Sequence, residues 1–213
     1  MATSAVTTDD ELYWLALHLA PGLGTRKAGK LIEVFRTPQA VMRASRSELE
    51  AAGISGTVAQ SIASGCSFEE AADQQQKMRQ AQTEVIPIRD PRYPALLREI
   101  FDPPVVLFAR GRTELLSSAI LGVVGTRRPT PYGNAVGERL AGDLSIAGLT
   151  IASGMARGID TAAHRATLAA GGNTIAVLGC GVDIVYPSEN RKLATEIASR
   201  GLILSDFPMG SSA

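Results

Sequence analysis

The spacing of apolar residues changes near residue 82. Before it, apolar positions recur every three to four residues. Leu12, Leu15 and Leu19 share one helical face, and Thr8-Asp9-Asp10-Glu11 ahead of them has the form of a capping box. Pro21-Gly22-Leu23-Gly24 stops that helix, and Ala28, Leu31, Ile32 and Phe35 give the next one its apolar face. A weaker echo follows: Leu49, then Gly53-Ile54-Ser55-Gly56, then Val58 and Ile62. After residue 82 the pattern becomes short apolar runs separated by helical ones. Strands are expected at 85–88, 105–108, 120–124, 149–152, 174–178 and 202–204, the run at 120–124 buried. Helices are expected at 133–147, 158–170 and 188–200, the last with Ser188 as its N-cap. This alternation predicts an α/β domain with a Rossmann-like parallel sheet joined by right-handed crossovers, over residues 83–213, behind a small all-α domain at 1–82.

Composition narrows the function. The 213 residues, at ~150 per domain, make one to two domains. Lys+Arg 21 against Asp+Glu 21 excludes a uniformly basic nucleic-acid coat but leaves room for a local basic patch. Aromatics at 5% exclude a surface paved with stacking rings. Cys66 and Cys180 belong to no metal or redox spacing and read as reduced, half-buried core residues. The acidic start is no signal peptide, and the apolar runs are too short to span a membrane. A cytoplasmic protein without cofactor or metal is the expectation.

Several segments have candidate chemistry. The paired helix–glycine turn–helix units fit a tandem helix-hairpin-helix pattern, in which helix N-terminal amides can meet a phosphate. Arg26 and Lys27 follow the first turn, whereas the second has no basic residue. Gly24-Thr25-Arg26-Lys27-Ala28-Gly29-Lys30 imitates a phosphate-binding P-loop. It lacks the hydroxyl residue after the lysine (Leu31 stands there) and a preceding strand, and is rejected.

Three strand ends look sharper. The strand before Gly125 runs into Gly125-Thr126-Arg127-Arg128, whose arginines can fork onto phosphate oxygens. The next strand runs into Ser153-Gly154-Met155-Ala156-Arg157-Gly158, where glycine backbone permits an amide nest and Arg157 adds a third cation. The third runs into Leu178-Gly179-Cys180-Gly181, followed by Tyr186, which could stack a base, and by Arg191 and Lys192, which could neutralise phosphate. Asp160 and His164, four apart on a helix, could form an acid–base pair. With no nucleophile or metal set beside them, a helix cap and an orienting histidine are the better reading.

Gly125-Thr126-Arg127-Arg128-Pro129-Thr130-Pro131-Tyr132-Gly133, Ser153-Gly154-Met155-Ala156-Arg157-Gly158-Ile159-Asp160, Ala176-Val177-Leu178-Gly179-Cys180-Gly181-Val182-Asp183 with Tyr186-Pro187, and Ser205-Asp206-Phe207-Pro208 closely resemble the DprA (Smf) family, in order, across residues 90–210. The helical hairpins resemble that family's SAM-like N-terminal domain. The resemblance implies an extended Rossmann-like domain that binds single-stranded DNA, protects incoming DNA and helps load RecA during natural transformation, without catalysis. It implies a DNA pocket that includes Arg127, Ser153, Gly154, Gly179, Tyr186, Asn190 and Lys192. With the strand-end reading, the expected DNA-binding set becomes Gly125, Thr126, Arg127, Arg128, Ser153, Gly154, Arg157, Gly179, Gly181, Tyr186, Asn190 and Lys192.

The chain departs from the family after Phe207-Pro208-Met209-Gly210, where a basic stretch and further strands and helices would follow. It therefore resembles a C-terminally truncated member. The family's remainder would supply further DNA-contacting cations, the rest of the sheet, and the homodimer and RecA contacts. Strand 202–204 would then stand as an uncovered apolar edge. Two other readings remain open: a phosphoribohydrolase-type enzyme, although no Pro-Gly-Gly-x-Gly-Thr loop is present, and a non-functional fragment.

Overall fold

Six helices form the first part of the chain because its apolar residues keep the helical period. They are α1 (Thr8–His18), α2 (Thr25–Phe35), α3 (Pro38–Arg43), α4 (Arg46–Ala51), α5 (Gly56–Ala63) and α6 (Phe68–Ala81). The computed structural model describes residues 8–213. Leu15, Leu17, Leu31, Leu49, Ile62 and Met78 are fully buried, so one face of nearly every helix feeds one apolar interior. The turns between α1 and α2 and between α4 and α5 each contain a glycine at positive φ, Gly22 at 75° and Gly53 at 91°, as the repeated hairpin pattern requires. A full capping box sits at Ser45, whose hydroxyl accepts from Glu48 N–H while the Glu48 carboxylate accepts from Ser45 N–H. At α1, Gln75 Nε2 donates to both the Thr8 carbonyl and the Glu11 carboxylate.

The strands and remaining helices follow as β1 (Glu84–Pro87), α7 (Ala95–Arg98), β2 (Val106–Gly111), β3 (Ile120–Gly122), α8 (Pro131–Ile146), β4 (Thr150–Ser153), α9 (Ile159–Ala169), β5 (Thr174–Val177), α10 (Arg191–Arg200) and β6 (Leu202–Ser205). The sheet order is β1-β2-β6-β5-β4-β3. β3 to β6 run parallel, as expected from the intervening helices, while β2 is antiparallel to β6, with Phe108 opposite Ser205 and Gly111 opposite Leu202. The chain separates into two compact units. One holds the described residues up to Gln80 with Val85–Leu107, and the other holds Ala81–Glu84 with Phe108–Ala213. In the second unit Phe108, Ile151, Met155, Ile175 and Ile197 are fully buried. Ala141 and Ala163 let α8 and α9 close over Ile151, with Val123, Leu144 and Ala166 around them.

Two expectations are corrected by this topology. β6 is no uncovered edge: β2 pairs along it on one side and β5 on the other, and all four of its residues are buried. The rim strand of the parallel run is β3, because each later strand is added on the side away from it. The expected buried run at 120–124 is therefore a three-residue strand with Ile120 and Leu121 each 40% exposed. Ser188 does not cap a helix. A 3-10 turn, Ser188–Asn190, precedes α10, whose N-cap is Asn190 without a side-chain cap bond. Cys66, expected to be half-buried in the core, is exposed.

Candidate nucleic-acid interface

Parallel pairing puts the C-terminal ends of β3, β4 and β5 on one edge of the sheet. After β3, Thr126 Oγ1 accepts from Arg128 N–H at 3.1 Å and folds the loop. Thr130 then caps α8, its Oγ1 accepting from Gly133 N–H at 3.1 Å, with Pro131 preset for the first turn. Arg127 and Arg128 are exposed between these two anchors and have no ion pair with a described residue.

The β3 loop is fixed to the β4 loop by close backbone packing. Ile159 N–H donates to Thr126 O at 3.3 Å. Gly158 has φ of +79°, and a Cβ there would lie 2.3 Å from the Thr126 carbonyl oxygen, so this position demands glycine. Gly125 faces Ile159 as closely, with a Cβ position 2.6 Å from Cγ1. The expected amide nest after β4 exists but is already filled. Asp160 Oδ2 accepts from Gly154 N–H at 3.2 Å and Ala156 N–H at 3.4 Å, because the first turn of α9 brings its own carboxylate under the loop. Ser153 is buried, and its hydroxyl makes no hydrogen bond among the described residues.

Asp160 and His164 make no bond with each other. His164 is fully buried, with Nδ1 2.7 Å from Thr174 Oγ1. That hydroxyl donates to Ile151 O, so Nδ1 must donate and the ring is the neutral Nδ1–H tautomer. Burial pushes its pKa down to about 4, which suits a structural brace rather than a proton carrier at neutral pH.

After β5, Gly179 lies open, with no atom within 4 Å of a Cβ position, whereas a Cβ on Gly181 would lie 2.7 Å from the Pro208 carbonyl oxygen. The Tyr186–Pro187 peptide is cis, and Tyr186 is 57% exposed. Asn190 is buried. Its Nδ2 donates to Met155 O at 2.9 Å and Thr161 Oγ1 at 2.8 Å, so its amide braces the β4 loop from behind. Lys192 is exposed on the first turn of α10.

These loops enclose an open cleft of about 260 Å³ lined by Arg127, Arg128, Ala156, Arg157, Tyr186 and Pro187. Four of the expected residues, Arg127, Arg128, Arg157 and Tyr186, meet there. Thr126, Gly125, Ser153, Gly154, Gly181 and Asn190 build the loops around it, and Gly179 and Lys192 lie outside its lining. Glu189 is the residue that sequence reasoning missed. Its carboxylate takes Arg157 Nε at 2.9 Å and Nη2 at 2.7 Å and holds the guanidinium pKa above its ordinary value. Thirty-two positions separate the two residues, so no local pattern announces the pair. Among the described residues there is no cluster of metal-ligating side chains, and no helix is long and apolar enough to cross a membrane.

A mostly parallel α/β sheet whose strand ends gather three arginines and an exposed tyrosine defines a Rossmann-like protein with a cationic edge. Residues 84–213 match the family model of DNA recombination-mediator protein A, and the chain belongs to that family. It is 37% identical to protein Smf of Synechocystis over 97% of this chain and 53% of that protein. The X-ray structure of DNA processing protein A from Streptococcus pneumoniae superposes with a TM-score of 0.74 at 32% identity, covering 97% of this chain and 70% of that one. The Helicobacter pylori DNA processing protein A structure, described for its single-stranded DNA binding mode, gives 0.56 at 35% identity over 62% of this chain and 58% of that one. The chain spans about half the length of the curated relatives it matches.

Proposed function

We propose that this chain binds single-stranded DNA without catalysis along the edge formed by the β3, β4 and β5 loops. One observation carries the reading: Arg127 and Arg128, which have no ion pair among the described residues, share a cleft with the exposed Tyr186. Cations on a rigid edge give phosphate contacts, and an exposed ring beside them gives an unstacked base somewhere to lie. Membership of the DNA recombination-mediator family and the likeness to the Helicobacter pylori structure support the same ligand. Gly125, Thr126, Ser153, Gly154 and Asn190 hold the loops, Gly179 and Gly181 shape the third one, and Lys192 extends the basic surface along α10. In a cell the protein would act on cytoplasmic DNA during transformation, protect it and hand it to RecA; homodimer contacts would come from the family's remainder.

Fluorescence anisotropy with oligo-dT at several salt concentrations tests the reading. Binding is expected to weaken as salt rises. Arg127→Ala should weaken it roughly tenfold and flatten the salt slope by ~0.7, the share of one single-strand phosphate contact. Undiminished affinity in a cooperatively folded Arg127→Ala variant would overturn the site.

A further inference from the structure

Arg157 differs from the other two arginines of the cleft. The Nε–Nη2 edge of a guanidinium is well suited to a bidentate oxyanion, and in Arg157 Glu189 occupies that edge at 2.9 and 2.7 Å. Both side chains are more than half exposed, but the backbone segments that carry them are tied together. Glu189 lies in the short turn directly after Tyr186–Pro187, and Asn190 in the same turn is tied to Met155 O and Thr161 Oγ1 on either side of Arg157. The pair thus joins the β4 loop to the tyrosine segment. A carboxylate at that place also repels a phosphate that would approach Arg157, whereas Arg127 and Arg128 have no such competitor among the described residues.

We infer that Glu189 divides the labour of the cleft: it withholds Arg157 from the phosphate backbone and sets its planar face, together with Tyr186, as a platform for one unstacked base. The phosphate track is then left to Arg127 and Arg128. A flat guanidinium and a phenol ring in one cleft are the two surfaces on which a base can rest irrespective of its identity. This inference rests on the single-stranded DNA reading above and says which chemical part of the strand each side chain meets.

Four proteins and two ligands test it: the parent, Arg127→Ala, Arg157→Ala and Glu189→Gln, each titrated over a salt series with oligo-dT and with an abasic oligonucleotide of equal length. Thermal melts check that each variant remains folded. Arg157→Ala is expected to keep the parent salt slope, lose roughly tenfold on oligo-dT and hardly change on the abasic strand. Glu189→Gln, nearly isosteric and on the surface, should release the Arg157 fork. Its salt slope should steepen by ~0.7, and its preference for oligo-dT over the abasic strand should shrink. A flattened slope in Arg157→Ala, equal losses on both ligands, or an unchanged slope in Glu189→Gln overturns the inference. If Arg127→Ala weakens binding while Glu189→Gln leaves the slope alone, the DNA-binding edge stands and only the role of Glu189 falls. If Arg127→Ala binds as the parent does, both fall together.

Discussion

His164 braces α9 against β5 and Gly158 fits the β4 loop against the β3 loop, and each carries a measurable cost. His164 is neutral in the fold, its pKa held at about 4 against about 6.5 when exposed. The unfolded chain therefore binds the extra proton first. Stability is complete above pH ~6.5, falls as the pH drops from there to about 4, and levels off below, for a total of roughly 3 to 4 kcal/mol at ~1.4 per pH unit. Urea unfolding at pH 7 and pH 5 should differ accordingly, and His164→Gln, although less stable outright, should show a flatter difference. An identical pH dependence in both proteins refutes this account. Gly158 acts through geometry. Alanine there combines a φ of +79° with a Cβ 2.3 Å from the Thr126 carbonyl oxygen, so Gly158→Ala should cost ~3 kcal/mol and push the arginine loop away from its place. Unfolding midpoints within error of the parent would show that the loop yields without cost.

Among the elements, capping chemistry separates what the sequence announces from what the packing decides. Thr130 accepts from Gly133 N–H with Pro131 next to it, so Thr130→Ala should lose ~1 kcal/mol at the start of α8. Ser188 has the same look in the sequence, yet it makes no cap bond, and Ser188→Ala should change stability by no more than a few tenths of a kcal/mol. Comparable losses in the two variants would contradict this assignment. The contrast shows what was legible. The alternation of β3 to β6 with their helices, the hairpin glycines, and the gathering of Arg127, Arg128, Arg157 and Tyr186 at one edge could be read because each follows from local pattern plus the rule for parallel sheets. The burial of β6 could not, because it depends on antiparallel pairing with β2, roughly a hundred residues earlier, and hairpin-length clues do not reach that far. For the same reason Asp160 filling the amide nest and Glu189 holding Arg157 were invisible: each needed loop positions that only the tertiary fold supplies.

For the second unit, the sheet topology leaves an apolar surface that a stable, soluble protein would ordinarily cover. β3 ends the parallel run with one side unpaired by any other described strand, and Ile120 and Leu121 are each 40% exposed, with Val124 just beyond at 78%. On α8, Tyr132, Val136 and Leu140 recur every fourth residue, which makes one stripe, and are 80%, 45% and 52% exposed, while Ile146 at its end reaches 75%. Singly exposed apolar residues are ordinary, but a strand rim and a helical stripe in one unit form the kind of surface that pairs with another chain. The 213-residue chain is therefore expected to self-associate as concentration rises, with the weight-average mass by sedimentation equilibrium exceeding that of a monomer. Leu140→Glu adds charge to the middle of the stripe without touching the cleft, and Leu121→Lys places a cation on the strand rim. The two together should return the chain to a monomer, with oligo-dT affinity per chain unchanged if the cleft is complete in one copy. A parent that stays monomeric throughout would mean that the rim and stripe are too weakly apolar to drive association. A mass that rises in parent and variant alike would place the contact elsewhere on the molecule.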